Sequence, residues 1–229
     1  MDLCILNGEN LADGVGITPK LADRMLASGA DVITLGNHVW RRREIIPYLK
    51  ENDRIVRPAN LSAHAPGKGL IVARAKDGTD VAVINLLGSL FIGPPHSPFE
   101  IVDELVAQAR KQARVVFVDF HGEATSEKVA MARWLDGKVT AVIGTHTHVQ
   151  TNDARVQPGG TAAISDAGMT GPHDSVIGVA AELAIRQMRT SMPVRFETAE
   201  GDVRIEGVVV ECDVEGKARS CEPVRVFVQ

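Results

Sequence analysis

Cysteine is scarce in this sequence, with three residues among 229. Cys4, Cys212 and Cys221 form an odd, sparse set, which excludes a disulfide framework. Pairing of Cys212 with Cys221 across a hairpin is an alternative, but free thiols are the favoured interpretation. A secretory signal is missing too, because no charged region and cleavage site flank an apolar stretch at Met1. Both absences predict a cytoplasmic protein.

An excess of basic charge is also lacking. The 25 Lys and Arg residues against 29 Asp and Glu residues give a net charge of −4. This balance excludes a large basic surface and favours a small substrate over a nucleic-acid polymer. No apolar run reaches the roughly 18 residues of a membrane helix, so we expect no membrane partner. The hydrophobic fraction of 45% and the charged fraction of 24% are typical of a folded globular protein.

Short apolar runs alternate with amphipathic stretches. Thr18 is expected to cap the first helix, with Pro19 at its first position, and Gly29 is placed to end it. Ser126 is expected to cap a later helix. The predicted helices begin at 18, 42, 101, 126 and 180 and end near 28, 49, 113, 135 and 189. The predicted strands are 3–6, 32–35, 70–75, 81–87, 115–120, 140–143, 161–164, 194–198, 203–210 and 224–228.

The order of these elements predicts an α/β fold. Strand–helix–strand repeats imply a parallel sheet with right-handed crossovers. The segment Lys76–Thr79 instead contains Asp-Gly between two β-rich runs and predicts a hairpin. The mixture indicates two packed β-sheets flanked by helices, in a single domain over 1–229. Residues 199–229 are expected to form a β-rich C-terminal extension with a terminal hairpin.

Polar, metal-binding residue types follow four of the predicted strands, at 7–10, 36–38, 121–123 and 144–148. Because the carboxyl ends of parallel strands meet at one edge of a sheet, we expect these clusters to converge. Their carboxylate, carboxamide and imidazole groups suit Mn, Fe, Zn or Co rather than a thiolate site. His146 and His148 are two residues apart, so on an extended segment their side chains point the same way.

Simpler interpretations exist for single residues. Asn37 alone is most often a turn residue, and Glu9 alone is a solvated loop carboxylate. His121 alone is ambiguous. The four clusters taken together favour a metal site.

Other polar residues lie outside these clusters. His64 and His96 are interpreted as surface residues, whereas His173 is undecided. The run Arg41–Arg43 lies beside His38 and could bind phosphate, but a solvated helix face is the favoured interpretation.

Two of the clusters match known sequence blocks. The Gly-Asn-His string at 36–38 and the Gly-Thr-His-Thr-His string at 144–148 resemble the GNH and GxHxH blocks of calcineurin-like metallophosphoesterases. Longer strings narrow the resemblance to the bacterial YmdB family, which is associated with 2′,3′-cyclic-nucleotide phosphodiesterase activity. These strings fall between residue 2 and about residue 198, at 7–10, 14–19, 57–60, 121–127, 144–151 and 168–172.

The resemblance implies a metallophosphoesterase-like α/β/β/α sandwich that binds two divalent metal ions. Iron is the first expectation, and manganese or zinc is also compatible. Glu9 is implied to bridge both metals, and Asn10 and His148 to bind the first. The implied ligands of the second metal are Asn37, His121 and His146.

The resemblance also implies a reaction, namely hydrolysis of small phosphodiesters such as 2′,3′-cyclic nucleotides. A metal-activated hydroxide attacks phosphorus, and His38 is implied to give a proton to the leaving alkoxide. Glu123, Thr125 and Thr147 are weaker candidates for outer or substrate contacts.

The family has a further strand and helix before the string at 7–10, including an Asp that binds the first metal. No such unit precedes Met1, so we expect an N-terminal truncation and a first metal site that is weaker than the second. The remaining candidates for its place are loop residues, namely Asp13, Asp153, Asp166 and Asp174. Asp166 follows a predicted strand, but it is not favoured as a replacement. The alternative function is a catalytically impaired metal- or nucleotide-binding regulatory protein. A homo-oligomer is left open.

Overall fold

The computed structural model describes residues 1–228. Its helices are α1 (Pro19–Ala27), α2 (Ile45–Glu51), α3 (Pro98–Arg110), α4 (Thr125–Trp134) and α5 (Ala181–Thr190). The first six strands are β1 (Ile5–Asn7), β2 (Val32–Thr34), β3 (Ile55–Val56), β4 (Leu70–Arg74), β5 (Asp80–Leu87) and β6 (Val115–His121). The others are β7 (Ala141–Thr145), β8 (Arg155–Val156), β9 (Ala162–Ile164), β10 (Gly171–Pro172), β11 (Val203–Cys212) and β12 (Ala218–Phe227).

Local sequence signals explain several helix boundaries and fail at others. The Thr18 side chain accepts a hydrogen bond from the Leu21 amide at 3.3 Å and caps α1, as predicted. The prediction that Ser126 caps α4 is wrong. Ala124 is the extended residue before that helix, so Ser126 already lies inside the first turn. The strand predicted over 194–198 is also wrong, because only Thr198 makes an isolated bridge there.

Two sheets position the polar clusters. The small sheet contains β1, β2 and β3, all parallel. The large sheet has the order β4-β5-β6-β7-β9-β8, with β5, β6, β7 and β9 parallel and both edge strands antiparallel. The hairpin between β4 and β5 is confirmed, and Gly78 supplies its positive φ of 90°. In both sheets the predicted clusters therefore follow the carboxyl ends of parallel strands.

A third sheet lies beside the two predicted packed sheets, and it contains the predicted C-terminal extension. The predicted terminal hairpin is confirmed as β11 paired with β12, and short strand β10 joins it. This third sheet packs on the large sheet through apolar residues such as Val208 and Ile143. Cys212 pairs with Ala218 rather than with Cys221, and all three cysteines are free.

The layers follow from alternation along the strands. On β6, Val118 and Phe120 face a core shared with α3 and α4. The neighbouring Phe117 faces a second core, between the large and small sheets. The outer face of the small sheet is covered by α1 and α2. The result is the expected α/β/β/α sandwich. Within residues 1–228, no helix is both long enough and apolar enough to cross a membrane.

Candidate metal centre

The four polar clusters meet between the two sheets. Glu9 follows β1 and Asn37 follows β2, both in the small sheet. His121 is the last residue of β6, and His146 follows β7, both in the large sheet. Alternation from Phe117 turns His121 toward the small sheet. The convergence predicted from strand ends is therefore present.

His121 Nε2 lies at the middle of a compact group of ligand atoms. It is 2.9 Å from Glu9 Oε2, 3.1 Å from Asn37 Oδ1 and 3.0 Å from His146 Nδ1. The ligand atoms of Glu9, His121 and His146 all lie within 4.8 Å of one another. Glu9 and His121 are each only 1% exposed. We call Glu9, Asn37, His121 and His146 the four-residue group.

These distances fit a divalent ion. Metal–ligand bonds of about 2.1 Å at right angles place adjacent ligand atoms about 3 Å apart. The three contacts of His121 Nε2 have this spacing, and the donors are the oxygen and nitrogen types that Fe, Mn and Zn accept. The four-residue group therefore fits a bound divalent metal ion in both the spacing and the type of its donor atoms.

Gly36 shows how tightly the backbone approaches the four-residue group. A Cβ atom at this position would lie 2.4 Å from His121 Nε2 and 2.5 Å from Glu9 Oε1. Real Cβ atoms do not tolerate such contacts, so any side chain here would displace the ligand atoms. The glycine before Asn37 is thus a requirement of the site.

Asn10 and His148 form a separate contact, which we call the outer pair. The Asn10 side-chain amide lies 3.0 Å from His148 Nε2. Asn10 Oδ1 is buried and has no hydrogen-bond partner among the described residues. A buried polar atom without a partner is costly, and a cation beside it would remove that cost. The outer pair therefore fits a second metal, with fewer side chains than the four-residue group.

The extended segment expected at His146 and His148 is wrong. Strand β7 ends at Thr145, and both histidines have positive φ, 110° at His146 and 64° at His148. The chain turns sharply between them, so one imidazole joins the four-residue group and the other joins the outer pair. Alternation applies only to extended backbone, and the sequence pattern alone did not reveal the turn.

The outer nitrogen of each histidine ring is held by an acceptor. His146 Nε2 lies 3.0 Å from Glu123 Oε2, and His148 Nδ1 lies 3.0 Å from the Ile177 carbonyl oxygen. His121 Nδ1 lies 2.9 Å from Thr145 Oγ1. Such contacts leave the inner nitrogen of each ring available as a metal ligand.

The charge of Glu9 is stabilised in place. Burial alone raises the pKa of its carboxyl group, but the charge and hydrogen bond of His121 and the His38 amide together hold that pKa below its ordinary value. The His38 amide donates to Glu9 Oε1 at 2.7 Å, which brings the His38 side chain beside the four-residue group. Burial lowers the pKa of the His38 and His146 imidazoles.

The other candidates lie outside the four-residue group and the outer pair. Asp166 is 1% exposed and binds Lys128 at 2.8 Å and the Thr147 amide at 2.9 Å, so it holds the turn between the histidines rather than replacing a metal ligand. His173, left undecided, lies 3.3 Å from Glu206 in the third sheet. Thr125 is the first residue of α4.

The surface assignments hold for four residues and are refined for Arg42, and the run at 41–43 precedes α2 rather than lying on a helix face. His64 and His96 are exposed, as predicted. Arg41 and Arg43 are also exposed. Arg42 instead donates to the Ala12 carbonyl at 2.7 Å.

One buried layer was missed by sequence reasoning. Asp119, only 2% exposed, accepts hydrogen bonds from Thr34, Asn7 and Thr145 directly beneath His121. Burial raises the pKa of the Asp119 carboxyl group. A signal was present, because a charged residue inside an otherwise apolar strand is rarely buried without a partner.

Curated proteins resemble this chain over most of its length. It is 48% identical over 213 residues to a 2′,3′-cyclic-nucleotide 2′-phosphodiesterase from Bacillus subtilis, covering 93% of this chain and 80% of that protein. It is 36% identical to a putative phosphatase/phosphodiesterase from Mycoplasma pneumoniae, covering 94% and 78%.

Solved structures share the fold. A crystal structure of a hypothetical protein from Thermus thermophilus superposes with a TM-score of 0.93 at 36% identity, covering 99% of this chain and 88% of that one. A crystal structure of a novel phosphatase from Mycoplasma pneumoniae gives 0.90 at 35% identity, covering 99% and 82%. The model of the YmdB-like protein family matches residues 1–224. The chain therefore belongs to the YmdB-like family.

Proposed function

We propose that this protein is a metal-dependent phosphodiesterase that hydrolyses small phosphodiesters such as 2′,3′-cyclic nucleotides. The observation that carries the proposal is the meeting of the four-residue group at one buried point, with His38 attached to it through Glu9. The Bacillus subtilis relative is named for the same class of reaction.

The metals would be held by the chain as follows. Glu9, Asn37, His121 and His146 would hold one ion, and Glu9 with the outer pair would hold the other. Bound divalent ions supply Lewis acidity, which polarises phosphoryl oxygens and promotes ionisation of the attacking water. Iron is our first proposal for the native metal because the family resemblance implies it, and the oxygen and nitrogen donors accept iron as they accept manganese and zinc.

His38 would give a proton to the leaving oxygen. Its backbone is fixed by the bond to Glu9, and its ring Nδ1 is buried with no partner among the described residues. No hydrogen bond holds the ring through that buried nitrogen, so the side chain is free to rotate and bring it to a substrate oxygen. A ribose alkoxide is a poor leaving group, so a proton delivered to it lowers the barrier of the reaction.

The test is hydrolysis by the purified protein with added Mn²⁺, using 2′,3′-cyclic AMP and bis-p-nitrophenyl phosphate. We expect turnover that EDTA abolishes, and we expect 2′,3′-cyclic AMP to give adenosine 3′-monophosphate as its product. The variant His64→Ala, at an exposed histidine far from the clusters in sequence, is the matched control and should keep full activity.

Two results would contradict the proposal. Metal binding without turnover would favour the impaired regulatory protein. Absence of divalent metal binding would remove the basis of the mechanism itself. Metal analysis of the purified protein, before and after reconstitution with Fe²⁺ under reducing conditions, tests the choice of iron.

A further inference from the structure

A chain of hydrogen bonds runs under the four-residue group, from the polar layer between the sheets to His121. Asp119 lies two residues before His121 on β6, and Thr145 ends the neighbouring strand β7. Thr145 Oγ1 lies 2.7 Å from Asp119 Oδ1 and 2.9 Å from His121 Nδ1. The three side chains form a continuous relay.

The direction of this relay is set by its buried end. Asp119 Oδ2 accepts from the Thr34 hydroxyl and, at 3.0 Å, from the Asn7 side-chain amide. Asp119 Oδ1 accepts the proton of the Thr145 hydroxyl. A hydroxyl group has a single proton to donate, so Thr145 must accept from His121. Nδ1 of the His121 ring then carries a proton, so Nε2 is the nitrogen that can give its lone pair to a metal ion.

We propose that Asp119 and Thr145 are positioning residues that fix the tautomer and orientation of His121, so that Nε2 binds the metal. This inference rests on the proposed function, because it assigns a role toward the metal of the four-residue group. Nε2 is the atom that faces Glu9, Asn37 and His146. A ring with the proton on Nε2 would present a donor to the cation and would not bind it.

One substitution should reverse the relay without changing its size. In Asp119→Asn, the amide oxygen faces the two donors Thr34 and Asn7, which turns the amide NH₂ toward Thr145. The Thr145 hydroxyl then accepts from this NH₂ and donates to His121 Nδ1. The ring proton moves to Nε2, the position that must be free. An equivalent Asp-to-Asn change beside a catalytic histidine produces the wrong tautomer in serine proteases.

The experiment is a calorimetric titration of metal-free protein with Mn²⁺, together with ¹⁵N NMR of the histidine rings. Thr145→Val keeps the shape but removes the hydroxyl, and we expect Mn²⁺ affinity at the tight site to fall about 10- to 100-fold. Thr145→Ser restores the hydroxyl and should bind like wild type. Asp119→Asn should bind at least as weakly as Thr145→Val, with the His121 proton on Nε2 instead of Nδ1.

Thr140→Val is the matched control. Thr140 immediately precedes β7, at the end of the strand opposite Thr145. Its buried hydroxyl donates to the Gly216 carbonyl at 2.7 Å. We expect this variant to lower the melting temperature while Mn²⁺ affinity is unchanged. The control separates loss of a buried hydroxyl in general from loss of the relay.

The outcomes distinguish the two levels of the proposal. Wild-type protein that binds no divalent metal contradicts the proposed function. Wild-type protein that binds Mn²⁺ while Thr145→Val binds equally well overturns the relay alone. An equal loss of affinity in Thr145→Ser or in Thr140→Val, or an unchanged tautomer in Asp119→Asn, also overturns it.

Discussion

The four-residue group and the outer pair are built with different degrees of support. In the four-residue group, Glu9 and His121 are almost fully buried, and ligand atoms surround His121 Nε2 at 2.9 to 3.1 Å. The outer pair has two side chains, and its histidine is held by the Ile177 carbonyl of a loop. The residues of the four-residue group are supplied by strand ends from two sheets. Preorganisation of a candidate metal site therefore depends on the number of fixed neighbours around each ligand.

The largest expected effect separates chemistry from metal binding. His38→Ala should lower turnover by about 10²- to 10⁴-fold, because it removes the proposed proton donor. Metal content should stay at the wild-type level, as measured by elemental analysis of the purified variant. Loss of metal in proportion to activity would instead make His38 a ligand.

The next effect concerns the four-residue group alone. His146→Ala removes a proposed ligand, so the affinity for the tightly bound ion should fall by at least about 100-fold, beyond the loss expected for an outer contact. Equilibrium dialysis with Mn²⁺ measures this affinity. Full retention of the tight ion would show that the four-residue group is not the stronger site.

Gly144 supports both groups, because it precedes the turn that carries both histidines. A Cβ atom there would lie 1.8 Å from the Ser165 carbonyl oxygen. Gly144→Ala should therefore destabilise the protein by about 3 kcal/mol through overpacking, as measured by urea unfolding. Gly207→Ala is the control, since nothing lies within 4 Å of a Cβ at that position. Equal stability of the two variants would contradict the close contact.

The smallest effect concerns the outer pair. His148→Ala should leave the tight ion in place, with its affinity changed by less than about threefold, because the variant removes no member of the four-residue group. We expect wild-type protein to bind one ion tightly per chain and a second weakly. Two ions of equal affinity would remove the distinction between the sites.

Much of the site was predictable because it depends on strand ends. Glu9, Asn37, His121 and His146 all lie at or just beyond the ends of parallel strands, and parallel strands align their carboxyl ends. The turn at His146 and His148 was not predictable, because left-handed backbone is set by tertiary contacts such as the Asp166 bond to the Thr147 amide.

The helix boundaries and the third sheet show the same contrast between local sequence signals and tertiary context. Thr18 caps α1 by accepting from the Leu21 amide, and Pro19 has its own φ fixed near the helical value, so both effects are local. Ser126 lacks such a neighbour, and the extended Ala124 precedes the first turn of α4 instead. Strand β10 has only two residues and exists because β11 lies beside it. Pairing partners of this kind leave no local pattern in the sequence.

The division of ligands between two sheets has a consequence for the life of the protein. An unfolded chain cannot bring residues 9, 37, 121 and 146 together, so we expect a bound ion to select the native state. Free metal at 100 times its dissociation constant would then add about 2.7 kcal/mol to the free energy of unfolding. Chelation would loosen the junction between the sheets and expose it to proteases. The metal supply of the cell would thus help to set how long each molecule survives.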